Sequence, residues 1–276
     1  MSRPDYRIER ALLREGHDCV AGVDEVGRGP LAGPVTVAAV ILDPANLPRG
    51  VDDSKALDPA ARDRLSGIIF QKALSVAIAF ASVAEVDALN IRGATLAAMA
   101  RAVNALSVAP AFALIDGIDR PGGLPCGARA VVGGDGLCLS IAAASIVAKV
   151  ARDRMMTRLH ARYPDYGFAR HVGYGTAFHL EAITRLGPTP FHRLTFAPLR
   201  REAAARSAAA DLQAELRPSR SDDAGPEPSP LSRLVSEWLG DPRSLIPDVS
   251  IASRHADAVV NHDPRAGHRP RPRRAR

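Results

Sequence analysis

Three cysteines, Cys19, Cys126 and Cys138, are all the chain contains. The number is odd and no two are spaced as a metal-binding pair, which argues against a disulfide framework and a zinc site. Long apolar runs are also missing: none approaches the roughly 20 residues that a membrane helix requires. The segment 1–15 is polar and charged, with no signal-peptide core. A soluble, cytoplasmic protein that keeps away from membranes is the expectation. Lysine is scarce in this arginine-rich chain, so Lys55, in the polar stretch Asp52-Asp53-Ser54-Lys55, stands out, either as an ordinary solvated loop charge or as a phosphate contact.

What is present suffices for a full core. The chain has 276 residues and 46% hydrophobic content, enough for one large domain. Its net charge of +6 and pI near 9.7 favour an anionic partner such as nucleic acid, although charge alone is a weak signal and a basic tail would contribute to the value. Such a tail exists. Beyond about Leu199 the composition shifts to an alanine-rich charged stretch, then a Pro, Ser, Asp and Gly-rich linker over 218–230, and finally a proline-broken arginine tip. The expected organisation is a folded domain over 1–199 and a Pro/Arg-rich tail over 200–276. The tail is expected to be disordered, with helix candidates at 201–217 and 231–239, the latter read as transient helicity ahead of a partner-docking peptide, and the tail's partner is open. A monomer is expected.

Within 1–199 the apolar periodicities alternate. Strands are expected at 19–23 and 35–42, a helix from Asp58 to about Gln71 with Pro59 at its first position, and a strand at 74–81. A helical segment should open at Ser82, whose spacing to Glu85 is that of a capping box, and a longer helix should cover 94–106. Further strands at 111–115 and 128–132 and helices at 139–160 and 176–186 complete an α/β pattern.

Several of these strands deliver acids at their tips. Asp24 and Glu25 follow the first one and lead into Gly27-Arg28-Gly29-Pro30; Asp116 ends the strand at 111–115, before Gly117; Asp135 lies in Gly133-Gly134-Asp135-Gly136. A single acid at a strand end is an ordinary turn former. Repeated, the pattern points to crowded carboxylates around a hard divalent cation. Because strand side chains alternate, two adjacent acids serving one site require the strand to end or bulge at Glu25. On the helix at 139–160, Ser145, Lys149 and Arg152 share a face that could meet a phosphate backbone, or Lys149 could pair with Asp153 one turn on. Tyr174, flanked by glycines, is either a packing residue or a ring offered to a sugar or base. His179 and His192 lack a ligand-spaced partner and are read as structural or surface residues.

Taken together, Gly22 to Pro34, Asp53-Ser54-Lys55, Ile115-Asp116-Gly117, Ala143 to Asp153 and Gly173-Tyr174-Gly175-Thr176 resemble the bacterial ribonuclease HII family, over roughly 15–200 of the chain. The resemblance implies a ribonuclease H-like fold, a mixed central sheet flanked by helices with a small C-terminal helical portion. It implies an endonuclease for the RNA strand of RNA–DNA hybrids and for ribonucleotides embedded in duplex DNA, working with Mn²⁺ or Mg²⁺ and leaving 3′-hydroxyl and 5′-phosphate ends. Carried over by motif, Asp24, Glu25, Asp116 and Asp135 are its metal-binding acids. Gly27, Arg28 and Gly29 are its substrate-reading turn, and Tyr174 is its junction-sensing tyrosine. Ser54, Lys55 and Lys149 are added as candidate substrate contacts. One departure is Gly133, which stands where the family commonly has lysine. A binding protein that had kept the fold and lost catalysis would be marked by a missing acid, and all four are present.

Overall fold

The computed structural model describes residues 3–200, apart from Asp53 and Ala56. The expected tail, with its helix at 231–239 and arginine tip, lies outside them. Its sheet has five strands: β1 (Val20–Val26), β2 (Val35–Leu42), β3 (Ala73–Ala81), β4 (Phe112–Asp116) and β5 (Gly127–Val131), in the order β3-β2-β1-β4-β5. β1 pairs antiparallel with β2 and β2 with β3, whereas β4 runs parallel to β1 and β5 to β4. The sheet is mixed, as expected.

Helices cover both faces. α1 (Arg7–Arg14), which no sequence pattern announced, precedes the sheet; α2 (Pro59–Lys72) and α3 (Val83–Asn104) flank β3; α4 (Leu139–Arg162) follows β5; the short α5 (Phe168–His171) and α6 (Ala177–Leu186) close the domain. Local signals account for several starts. Asp58 accepts from the Ala61 amide at 2.8 Å ahead of Pro59, and Ser82 and Glu85 form the reciprocal capping box. α3 unites the two helical segments expected around 82 and 94–106. It is broken at Asn90, whose φ of 58° is left-handed and whose Oδ1 accepts from the Arg92 and Gly93 amides to restart the helix.

The β2 run is buried at every position because α3 packs on one side of the sheet and α2 and α4 on the other. Val23, Val37, Ala39 and Ile115 join the α3 side, while Ala38, Val40 and Leu42 join Ala143, Ile146 and Val147 of α4. Val20 and Leu114 pack with Ile141 of α4. By strand alternation, Gly22 and Asp24 of β1 and Asp116 of β4 therefore belong to the α4 face.

α4 approaches β1 so closely at Gly22 that an added Cβ would lie 2.2 Å from the carbonyl carbon of Ser140. Backbone on both sides leaves no flexible atom to yield. Gly22→Ala should therefore destabilise the domain by about 3 kcal/mol or more, read as a lowered urea midpoint. A midpoint within experimental error of the parent would show that α4 is free to move off the sheet.

Candidate metal centre

The parallel ladder between β1 and β4 ends at the pair Val23↔Ile115, so the next residues on each strand, Asp24 and Asp116, come level beyond its last rung. One carboxylate oxygen from each of Asp24, Glu25 and Asp116 lies within 4.8 Å of the other two. The expected end or bulge of β1 at Glu25 is not found: pairing with β2 continues in unbroken register through Val26↔Thr36. What stops at this point is the β4 ladder on the other side. The opening it leaves lets Glu25 reach the cluster from a regular strand.

Each acid is held by a short contact. Asp24 is 5% exposed, accepts from the Glu25 amide at 2.7 Å, and is bonded by the hydroxyl of Ser145, itself 2.8 Å from the Ser54 hydroxyl. Asp116 accepts from the Gly134 amide at 2.7 Å. That approach requires glycine, since a Cβ at Gly134 would meet Ile141 at 2.5 Å and Asp116 itself at 3.2 Å. Glu25 accepts from Arg28 at 3.1 Å through Oε1, while its buried Oε2 has no hydrogen-bond partner.

Burial, followed by the charges of Glu25 and Asp116, pushes the Asp24 carboxyl well above its ordinary range. Burial raises Glu25 as well, against the opposing pull of Arg28, and raises Asp116 against the Gly134 hydrogen bond. Three crowded acids that resist ionisation, one with an unused buried oxygen, are a donor set that a hard divalent cation satisfies. The side chains present fit such an ion.

The other candidates are placed around this cluster. Asp135 sits on the single 3₁₀ turn Gly134–Gly136, outside the three-acid group; its charge reaches Asp116, and its carboxylate pairs with exposed Lys55 at 3.2 Å. Ser54 is buried against Ser145. Lys149 pairs with Asp153 at 2.6 Å, the simpler of its two sequence readings. Arg152 departs from the expected surface stripe. It is 1% exposed and donates to the carbonyls of Pro34, Ala32 and Val172, because α4 turns this position into the domain. Gly27 has φ +91°, and a Cβ there would lie 2.1 Å from Arg152 Nε.

The turn at 27–34 and the Tyr174 segment are stitched together. Leu31 and Ala32 donate to the Gly173 carbonyl, and the site of a Cβ on Gly29 is 3.5 Å from the half-exposed Tyr174 ring. Sequence reasoning missed what clamps them. Arg193, 0% exposed, donates to the carbonyls of Gly27, Arg28 and Gly33 at 2.6–3.0 Å. No periodicity marks an arginine as interior, and its neighbourhood read only as the end of the ordered region. The role of the Gly134 amide in holding Asp116 was missed for the same want of tertiary information.

Comparison with known proteins places this geometry. The family model described as ribonuclease HII matches residues 21–199. A ribonuclease HII of Chelativorans sp. strain BNC1 is 56% identical over 199 residues, spanning 72% of this chain and 79% of that protein. Among solved structures, ribonuclease H2 of Pyrococcus horikoshii OT3 is 27% identical, with TM-score 0.59 over 68% of this chain and 99% of that one. The RNase HII in the PCNA:RNase HII complex of Archaeoglobus fulgidus is 25% identical, with TM-score 0.54 over 64% and 95%.

The electrostatics yield a test that needs no substrate. Carboxyls whose folded pKa is raised bind more protons folded than unfolded, so the metal-free protein gains stability as pH falls towards those values. Asp24→Asn keeps an oxygen for the Glu25 amide and removes one repelling charge. At pH 8 with chelator it should melt above the parent, by a margin on the order of 1 kcal/mol that shrinks on acidification. It should also lose the melting-temperature rise that Mn²⁺ or Mg²⁺ gives the parent. An unchanged chelator midpoint together with a full cation response would refute the cluster's assignment.

Proposed function

This chain belongs to the ribonuclease HII family, a family of metal-dependent ribonucleases, and on that premise we propose that it is an endonuclease which cuts the RNA strand of RNA–DNA hybrids and incises duplex DNA at embedded ribonucleotides. The observation that carries the proposal is the largely buried cluster of Asp24, Glu25 and Asp116, with its unpartnered Glu25 oxygen, beside the exposed Arg28 and Gly29 of the following turn. In this reading the cluster holds divalent cations of the Mg²⁺ or Mn²⁺ kind, and Asp135 is the fourth acid at its edge. When bound, such ions supply Lewis-acid chemistry, activating a water for in-line attack at phosphorus and stabilising the departing 3′ oxygen. Both are oxygen-seeking, and the donor set suits either.

The protein's own groups hold and orient. Ser145 and the Glu25 amide fix Asp24, the Gly134 amide fixes Asp116, and Arg28 fixes one oxygen of Glu25. Phosphates on the two sides of the cut would be positioned by Arg28, Lys55 and Lys149, of which Lys55 and Lys149 must exchange an acidic partner for a phosphate. Ser54 supports this edge through Ser145. Backbone groups of the exposed Gly29 would meet the 2′-hydroxyl that distinguishes a ribonucleotide, Gly27 shaping the turn beneath with its carbonyl held by Arg193, and Tyr174 would lie against the adjoining sugar. In this reading the catalytic domain spans 1–199, a span supported by the burial of Leu199 among Leu31, Met156 and Phe168. Work in the cytoplasm, in ribonucleotide excision during DNA replication and repair, accords with these roles.

Two experiments test the reading. Asp116→Asn should lower cleavage of a duplex bearing one ribonucleotide by about a thousandfold or more while leaving duplex affinity nearly intact, because an amide is a poor ligand for a hard cation; parental cleavage in saturating Mn²⁺ would end the assignment. Tyr174→Ala should reduce cleavage at a single ribonucleotide by about tenfold, beyond any loss of affinity, with Tyr174→Phe less affected. Equal cleavage by the alanine variant would make the ring a packing residue only.

A further inference from the structure

The backbone that presents Tyr174 is strained. Val172 has φ 43° and ψ 37°, a left-handed conformation that a β-branched side chain rarely adopts, and Gly173 follows at φ +88°. Such a conformation costs on the order of 1–3 kcal/mol and persists only where the surroundings over-determine it. Arg152 holds the Val172 carbonyl at 2.9 Å. The remaining restraint comes from histidines.

His171, His179 and His192 are all buried, at 8%, 0% and 1% exposure. Their hydrogen bonds fix every ring proton. The Thr189 amide donates to His192 Nδ1 at 2.8 Å, so the His192 proton is on Nε2, 3.0 Å from His179 Nε2. His179 Nε2 is then an acceptor, and its proton sits on Nδ1, which donates to the Tyr174 carbonyl at 2.9 Å. The same logic applies to His171: the Gly173 amide donates to Nδ1 at 3.2 Å, leaving Nε2–H for the Tyr166 carbonyl at 2.7 Å. Burial, the largest cause, pushes His179 and His192 down to about 4, so both rings are neutral near pH 7 and the one-way order of donors is stable there. His171 and His179 stack at 4.4 Å, which joins the two chains.

We propose that the directed relay Thr189–His192–His179–Tyr174 is a positioning device that holds the Tyr174 ring against Gly29, with His192 setting the His179 tautomer needed to grip the Tyr174 backbone. Neither histidine touches substrate; both act through the tyrosine. The relay also explains why two histidines thirteen residues apart are both interior although neither belongs to the acid cluster. This inference rests on the reading of Tyr174 given above, and the experiment separates the two.

The full chain is used throughout. In ¹⁵N NMR of histidine-labelled protein, His179 should be protonated on Nδ1, and His192→Asn, which keeps an acceptor for the Thr189 amide but loses the donor at the far end, should erase that preference. A parental His179 protonated on Nε2 overturns the relay whatever Tyr174 does. In single-turnover cleavage of a one-ribonucleotide duplex, His179→Leu should lose about tenfold, His179→Asn, which keeps a δ-position N–H, should recover much of it, and His179→Leu should cost nothing further in a Tyr174→Ala background. The Mn²⁺-induced rise in melting temperature should be unchanged in every folded variant. Losses that multiply in the double variant, or parental cleavage by both His179→Leu and His192→Asn, overturn the proposal. A harmless Tyr174→Ala instead defeats the reading of the tyrosine and leaves the tautomer measurement to decide the relay. Should His179→Leu fail to fold, His192→Asn carries both readouts.

Discussion

Two guanidinium groups sealed inside the domain are the constraint on which the rest of the site depends. Arg152 and Arg193 are almost wholly buried, and burial lowers both to about 10 without neutralising either at ordinary pH. A buried charge is tolerated only when its donors are satisfied. Here the partners are carbonyls, those of Gly27, Arg28, Ala32, Gly33, Pro34 and Val172. The turn from Gly27 to Pro34 contains two prolines and three glycines and leaves several carbonyls outside any strand ladder, so the arginines complete the turn and the turn completes the arginines. Neither is stable alone. The position of the backbone at Gly27 to Gly29 follows from this mutual dependence.

The acid cluster works by the opposite logic. Nothing inside the described domain neutralises Asp24, Glu25 and Asp116 together; Arg28 reaches only one oxygen of Glu25, and the amides of Glu25 and Gly134 contribute dipoles instead of charge. The strand framework thus holds like charges at a separation that they would not choose. The lowest-energy completion is a cation supplied from outside. Preorganisation of this kind keeps reorganisation small when the ion arrives, because the carboxylates are already aimed.

How much of this was legible in the sequence depended on whether the signal was local. The strand ending in Asp116, Pro59 after Asp58 and the Ser82–Glu85 spacing are all short-range patterns, and the structure reproduces them, whereas β1 runs on past its two acids to Val26. The three-acid grouping was legible because the same pattern occurred on neighbouring strands. Arg152 was misread because helical periodicity says which residues share a face and does not say what covers that face. Arg193 carried no periodic signal. The histidine relay joins positions 179 and 192 through a turn at Thr189, a contact that only the tertiary fold creates. At Glu25 the expected bulge was unnecessary because the interruption lies in the neighbouring ladder, a fact about β4 that β1 cannot reveal.

The parallel pairing of β1 with β4 has a kinetic corollary. Between these strands the chain must first lay down β2, α2, β3 and α3, so Asp24 and Asp116 are separated by most of one half of the domain and meet only when a long loop has closed. Contacts of such high sequence separation form late. The repulsion that Asp116 adds to the neighbouring Asp24 and Glu25 is therefore absent while the antiparallel β1-β2-β3 meander assembles, and it enters only as the β1-β4 ladder zips up. On this view a divalent cation captured by the finished cluster acts as a latch on the way out and not as a guide on the way in: it retards unfolding and leaves the folding limb of a chevron unmoved.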